Sequence, residues 1–271
     1  MTADGPEAIE RHRLRATFDE AAELYDRVRP RYPGSAIAEL VRLAHIGPGS
    51  RVLEIGVGTA QLTVSLAELD CRIVGLEIGP NLAKVARRNL RGFPKATIEV
   101  DDFEEWSISE QPFDAVVSAT AFHWLDPRTR VGKAADALRP GGSLAILGTH
   151  HVAGGSADFF DDVQACYESW DPTWTPELHP PAAAAAIATE IEEIERSARF
   201  GPVSVRRFEW DLSYTAAEYV ELLLSYSGHR ALAAEAQRGL FACITDLIAT
   251  RYGGSIVKRY LTLLRVAPSL D

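Results

Sequence analysis

Short apolar runs alternate with amphipathic segments over roughly the first 150 residues of the chain. Each run ends at glycine, proline or acidic residues, which are typical of turns. Apolar positions then recur three or four residues apart, as they do on one face of a helix. The runs that predict strands lie within 51–61, 71–77, 97–103, 112–118 and 138–147. Strands that alternate with helices in this way imply a parallel sheet covered by helices.

The pattern changes after residue 150. An aromatic-rich segment at 159–170 predicts a helix. A run of alanines at 182–186, followed by periodic isoleucines, predicts a second, charged helix, because alanine is the strongest helix former. The remainder predicts a strand at 203–210, mostly helical structure at 216–250 with a break at Ser227-Gly228, and a last strand at 257–266.

The most informative motif is a glycine turn between the first strand and the next helix, Glu54-x-Gly56-x-Gly58-x-Ala60. Glycine lets the backbone come close to a ligand because it has no Cβ, and the following helix N-terminus adds unpaired N–H groups. Glu77 ends the second strand, 23 residues after Glu54, where an acid can accept hydrogen bonds from ribose hydroxyls. The motif therefore predicts a nucleotide site. The dinucleotide fingerprint needs glycine at the position of Gln61, and this difference disfavours a nicotinamide-dependent oxidoreductase. Such an enzyme remains an alternative.

Together with the acidic strand ends and the Pro140-Gly141-Gly142 turn, this motif resembles class I S-adenosylmethionine-dependent methyltransferases, with Ala60 where a third glycine is usual. The resemblance covers about residues 20–150. It implies an α/β, Rossmann-like methyltransferase fold: a seven-stranded, mostly parallel sheet whose last strand is antiparallel, plus a helical lid. The implied cofactor is S-adenosyl-L-methionine. The regions are an N-terminal helical cap segment at 1–50, the cofactor-binding core at 51–150, the lid at 151–200 and the C-terminal completion of the sheet at 201–271.

Two further segments resemble small-molecule methyltransferases near trans-aconitate methyltransferase: Tyr25-x-x-x-Arg29-Pro30-x-Tyr32-Pro33 and Ala121-Phe122-His123-Trp124. By this resemblance Tyr25 lies near the sulphonium, Arg29 near the methionine carboxylate, and Asp102 and Phe103 around adenine. Glu54 either holds the glycine turn through backbone N–H groups or contacts the methionine ammonium through water. The predicted cofactor-binding residues are Tyr25, Arg29, Glu54, Gly56, Gly58, Glu77, Ile78, Asp102, Phe103, Ser118 and Ala119.

Residues that follow the fourth strand should face the transferred methyl group, because open α/β sheets bind ligands at the carboxyl ends of their strands. The (D/N/S)-P-P-(Y/F) motif of nucleic-acid amino methyltransferases is absent there, and the net charge of −10 disfavours a nucleic-acid partner. We therefore predict O- or N-methylation of a small-molecule acceptor, with a carboxylate beside Arg29 or Arg31 among the options. His123 is the candidate general base, with a pocket-lining or structural role as the alternative. The predicted substrate-binding residues are Phe122, His123, Trp124, His150, Tyr167 and Trp170.

The three cysteines lie far apart and show no metal-ligand spacing, so we predict neither a disulfide nor a metal site. The pair His150-His151 lacks a partner ligand at a suitable spacing and favours pocket lining over metal binding. The sequence shows no signal-peptide pattern and no apolar run of ~18 residues, which predicts a cytoplasmic, reduced protein without a membrane partner. A non-catalytic protein that keeps the cofactor fold remains an alternative. The oligomeric state is not indicated.

Overall fold

The computed structural model describes residues 19–175 and 181–270; residues 1–18 of the predicted cap segment lie outside the described residues. Within these residues, seven strands form one sheet in the order β3-β2-β1-β4-β5-β7-β6. Strands β1 to β5 pair in parallel, and β7 runs antiparallel to both β5 and β6. The α/β fold with an antiparallel last strand is confirmed. The strands are β1 (Arg51–Ile55), β2 (Arg72–Glu77), β3 (Ala96–Val100), β4 (Phe113–Ala119), β5 (Leu138–Gly155), β6 (Ser204–Thr215) and β7 (Ser255–Pro268).

Helices cover both faces of the sheet, and neighbouring residues of each central strand therefore serve different cores. Val52 of β1 packs in one core with helices α2, α3 and α4, whereas Leu53 packs in the other with α5. The helices are α1 (Ala22–Val28), α2 (Gly34–Leu43), α3 (Thr63–Ala67), α4 (Pro80–Asn89), α5 (Arg130–Ala137), α6 (Ala157–Asp162), α7 (Gln164–Trp170), α8 (Glu192–Arg196), α9 (Ala216–Leu224), α10 (Ser227–Ala231) and α11 (Ala234–Arg251), with 3₁₀ turns at Phe122–Trp124 and Ala184–Ala186.

A third core lies where α6, α7, α9 and α11 pack on the ends of β6 and β7. Phe159, Leu222, Ile244 and Ile256 are each almost fully buried in it. The predicted aromatic helix at 159–170 forms as two consecutive helices, α6 and α7. A Cys166–Cys243 disulfide joins α7 to α11, so the prediction of no disulfide is wrong. The residues are 77 positions apart, and only the fold brings their Cα atoms to 5.8 Å. The prediction of a reduced, cytoplasmic protein rested in part on the expected absence of a disulfide, and the disulfide removes that support.

The alanine run does not form the predicted helix. It makes one 3₁₀ turn, the chain then runs without helix to Ile191, and only Glu192–Arg196 is α-helical. The carbonyls of this stretch accept hydrogen bonds from other parts of the fold: Ala153 N–H donates to Ala182 O, and the Arg207 guanidinium donates to Ala184 O. Helix propensity alone does not overcome the cost of nucleation where no apolar face is buried. None of the described helices is both long enough and apolar enough to cross a membrane.

Candidate active site

The glycine turn that follows β1 has a backbone conformation that depends on glycine. Gly56 and Gly58 have φ of +71° and +59°. A Cβ on Gly56 would lie 2.3 Å from the Ala121 Cβ, so no larger residue fits there without movement. Ala60, which stands in place of the usual third glycine, also has a positive φ, of +71°. The turn therefore leaves its backbone open to a ligand, as the sequence predicts.

Glu77 ties this turn to the next helix. Gly58 N–H donates to Glu77 Oε2 at 2.7 Å, and Gly79 N–H, just before α4, donates to Glu77 Oε1 at 2.9 Å. Each carboxylate oxygen has two lone pairs, so one backbone bond leaves it able to accept a second. Glu77 is buried but lines the cavity described below. It is thus both a support for the turn and an acceptor facing the ligand space.

Among the described residues, Gly58 N–H of the glycine turn bonds to Glu77, and Glu54 Oε2 has no hydrogen-bond partner. A hold of Glu54 on the turn through backbone N–H groups stays a prediction. Burial, together with the negative charge of Glu77, raises the pKa of Glu54 to about 8, and a hydrogen bond with Thr63 opposes the shift. Glu54 is also not among the residues that line the cavity. Its contact with a methionine ammonium through water stays a prediction.

A first cavity of about 350 Å³ lies at the carboxyl ends of β1, β2, β3 and β4. The strand order reverses between β1 and β4, which is where α/β sheets bind ligands. Two predicted residues, Ser118 and Phe122, do not line this cavity. Ser118 Oγ donates to Ile55 O, and Phe122 is buried in the core with the Arg130 guanidinium over its ring. The cavity brings together most of the sequence-predicted residues: Tyr25, Arg29, Gly56, Gly58, Glu77, Ile78, Asp102, Phe103, Ala119, His123 and Trp124.

His123 sits on the 3₁₀ turn after β4, with its ring centroid 5.0 Å from that of Trp124. Burial lowers the pKa of His123 below its usual value, and the carboxylate of Glu190 opposes this shift. The imidazole is therefore mainly neutral at neutral pH and able to accept a proton. Its position at the first cavity is compatible with either the base or the pocket-lining role.

A second cavity, of about 460 Å³, adjoins the first. Four residues line both: Tyr25, Arg29, Thr120 and Tyr226. The second cavity lies among α6, α7, α9 and the ends of β5 and β7, and Phe160, Tyr167 and Tyr260 are among the aromatic residues that line it. Both volumes fall within the roughly 300–1,000 Å³ of small-molecule sites.

Besides Phe122, two residues predicted to bind substrate line neither cavity. His150 is on the opposite face of β5 from the second cavity, and its neighbour His151 lines the cavity instead. Residues of a strand point alternately to the two faces, so the pair cannot act together. Trp170 packs on α11 at Gly239, where a Cβ would lie 2.2 Å from the Trp170 ring, and it lines neither cavity.

The junction of the two cavities is built around Arg29. Its Nη2 donates to Ser225 O at 2.8 Å, and its guanidinium lies 4.2 Å from the Tyr226 ring centroid and 5.0 Å from that of Tyr25. Beside it, the hydroxyl oxygens of Tyr32 and Thr120 are 2.9 Å apart. Thr120 has φ of +56°, which is rare for a β-branched residue. Such strain persists only where surrounding contacts hold it, and it is common at functional sites.

Sequence reasoning missed Lys258 and Tyr226. Lys258 lies on β7 on the same side as Ile256 and Tyr260, which are both buried. Period-two alternation in the last strand places a lysine between two buried positions, and this signal was available in the sequence. Lys258 lines the second cavity.

Comparison with known proteins identifies the central part of the chain. Residues 52–142 match the family model described as a methyltransferase domain. An uncharacterized methyltransferase of Mycobacterium tuberculosis is 34% identical over 137 residues, which is 51% of this chain and 54% of that protein. The chain therefore spans about half the length of the curated relatives it matches.

Solved structures share the fold over most of the chain. Phosphoethanolamine N-methyltransferase 2 of Haemonchus contortus, in complex with phosphomonomethylethanolamine and S-adenosylhomocysteine, is 19% identical with a TM-score of 0.53, over 93% of this chain and 58% of that one. The YcgJ protein of Bacillus subtilis is 14% identical with a TM-score of 0.54, over 88% and 100%. These solved structures show that the chain shares their fold, and the match to the methyltransferase domain model covers residues 52–142.

Proposed function

We propose that this protein is an S-adenosylmethionine-dependent methyltransferase that methylates an oxygen or nitrogen atom of a small molecule. The observation that carries the proposal is the pair of adjoining cavities: one is built by the methyltransferase domain, and the other by aromatic residues from outside it. A cofactor in the first cavity would present its methyl group at the junction. The resemblance to the trans-aconitate methyltransferase group stays a prediction.

The residues of the first cavity fit this cofactor. Glu77 would accept hydrogen bonds from the ribose hydroxyls, and Asp102 and Phe103 would hold the adenine. Arg29 binds the methionine carboxylate, for which a planar guanidinium is suited. Tyr25 stands beside the sulphonium. When bound, S-adenosylmethionine supplies a methyl group that is already activated, because its leaving group is a neutral thioether.

The chain's own contribution is alignment and exclusion of water. The aromatic walls at the junction hold the acceptor in line with the methyl carbon, and proximity and orientation are worth ~7–11 kcal/mol. A base is needed only where the nucleophile carries a proton at neutral pH. In that case neutral His123 accepts it. A carboxylate acceptor needs no base, so the reaction then depends on the two cavities alone.

Calorimetry with S-adenosylhomocysteine and NAD tests the proposal. We expect the wild-type chain to bind S-adenosylhomocysteine and not NAD. Gly56→Ala should weaken binding by at least about tenfold, because its Cβ collides with Ala121. Gly92→Ala is the matched control, since no atom lies within 4 Å of the Cβ it would carry. The melting temperature of each variant is measured first, so that a loss of stability can be separated from a loss of affinity.

Mass spectrometry of cell extract incubated with the protein and methyl-labelled S-adenosylmethionine tests the transfer itself. Label in a small molecule is the expected result. Binding of NAD with hydride transfer would replace the proposal with an oxidoreductase. Tight S-adenosylhomocysteine binding without any labelled product would favour a non-catalytic cofactor-binding protein.

A further inference from the structure

Lys258 is a buried cation beside the second cavity. Its side chain comes from β7, and the residue is 5% exposed. Its Nζ lies 5.9, 5.7 and 5.5 Å from the ring centroids of Tyr219, Tyr226 and Tyr260. Aromatic rings at these distances attract an ammonium group through their negative faces. They do not neutralise it.

No carboxylate of the described residues forms an ion pair with Lys258. Burial lowers the pKa of Lys258, the nearby charge of Arg29 acts in the same direction, and Tyr226 opposes the shift. No carboxylate of the described residues contributes to the shift, whereas Asp211 and Glu209 both raise the pKa of Arg259. A buried charge without a partner is costly, and such charges are therefore usually paired. The position calls for an anion that is not part of the described chain.

The lining of the second cavity has the matching character. Its described residues include two cations, Arg29 and Lys258, and neither aspartate nor glutamate, although the whole chain has a net charge of −10. Arg29 lies at the junction with the first cavity and bonds to Ser225 O. Lys258 lines the second cavity only. One cation is therefore placed for the acceptor alone, and it balances one negative charge.

The apolar walls indicate the shape of the acceptor. Rings of Phe160, Tyr167, Tyr219 and Tyr260 line the cavity around Lys258. Such rings favour an aromatic ligand, which they contact edge-on or offset-stacked. A cationic amine would be repelled by the ammonium, and a phosphate would bring more charge than one lysine balances.

We propose that the second cavity binds an aromatic carboxylic acid as the methyl acceptor, with its carboxylate paired to Lys258. This inference rests on the proposed function of the chain as a methyltransferase. Lys258 fixes one end of the acceptor, and the tyrosine rings fix its plane. The residue acts in binding and takes no part in the transfer of the methyl group.

The test measures the affinity of three acids, salicylate, 4-hydroxybenzoate and 4-hydroxycinnamate, and of the three corresponding amides. Calorimetry is performed on the protein saturated with S-adenosylhomocysteine. We expect at least one acid to bind, and its amide to bind at least about tenfold more weakly. Lys258→Met should weaken binding of the acid by a similar factor and leave the affinities for the amide and for S-adenosylhomocysteine unchanged. Lys258→Arg should restore acid binding, and Lys84→Met, the same change on an exposed lysine of α4, should have no effect.

Three results would each overturn the inference: equal binding of acids and amides, unchanged acid affinity in Lys258→Met, or no binding of any of the three acids to the wild type. The comparison of acids with amides uses the wild-type protein, so it stands even where a variant does not fold. A wild type that fails to bind S-adenosylhomocysteine contradicts the proposed function instead, whatever the acids do.

Discussion

Replacing Glu77 by glutamine is the most direct probe of the first cavity. The side chain keeps its size but loses its charge, and one of its two oxygens becomes an NH₂ group. In the wild type both oxygens accept backbone N–H bonds, at 2.7 Å from Gly58 and 2.9 Å from Gly79. Whichever way the amide is oriented, one donor then faces another donor in a site that is only 6% exposed.

The expected losses of stability and of cofactor affinity follow from this geometry. A buried N–H that loses its acceptor costs about 1–3 kcal/mol, so the free energy of unfolding should fall by that amount. The affinity for S-adenosylhomocysteine should fall separately, because a ribose hydroxyl then donates to a neutral amide instead of a carboxylate. Charge-assisted hydrogen bonds are roughly twice as strong as neutral ones, which amounts to about a tenfold loss of affinity.

Urea denaturation measures the first quantity and calorimetry the second. Glu54→Gln is the matched control: it is the same substitution at a buried glutamate of the neighbouring strand, one that lines neither cavity and has a pKa of about 8. Because a pKa of about 8 leaves Glu54 mostly neutral at pH 7, its replacement should change cofactor affinity less than about threefold, and a loss as large as that of Glu77→Gln would instead support the predicted contact of Glu54 with the methionine ammonium. A Glu77→Gln protein with wild-type stability and wild-type affinity would refute the assigned role of Glu77.

Two further predictions concern stability. Folded Glu54 keeps its proton between its ordinary pKa of 4.5 and about 8, while the unfolded chain has released it, so the free energy of unfolding should fall by at most ~1.4 kcal/mol per pH unit as pH rises through this window. Urea denaturation of wild type and Glu54→Gln should show this slope in the wild type only; parallel curves would contradict it. Reduction of Cys166–Cys243, which are 77 positions apart, should lower stability by ~2–5 kcal/mol. A thiol titration of the unfolded, unreduced chain should detect Cys71 alone, and three thiols would show that the disulfide is absent.

The cofactor half of the fold was predictable because its signals are local. A strand buried on both faces of a parallel sheet reads as a short apolar run, and the turn after it needs particular residues. Gly56 and Gly58 are required by their own backbone angles, and Glu77 follows from its place at the end of β2. The run 51–61 therefore encodes its structure within a single stretch of sequence.

The remainder depends on contacts between distant residues. The alanine run has a strong helix propensity, but Arg207 and Ala153 bind its carbonyls and hold it in another conformation. The Cys166–Cys243 pair becomes visible only once α7 lies against α11. Glu54 stands next to the glycine turn in sequence, but the carboxylate that bonds to Gly58 comes from the next strand, at Glu77.

The first cavity is formed mainly by one stretch of the sequence, and the second by residues far apart in it. This difference determines what a match to relatives reveals about each cavity. Apart from the four junction residues and Ser227, every residue that lines the first cavity lies within 52–142, the part that matches the methyltransferase domain model. Of the described residues that line the second cavity alone, only Gln61 lies within 52–142. A match over 52–142 therefore carries information about the cofactor and almost none about the acceptor. The acceptor must be inferred from side chains such as Lys258, whose environment exists only in the folded chain, and for this reason we base its chemistry on charge and burial.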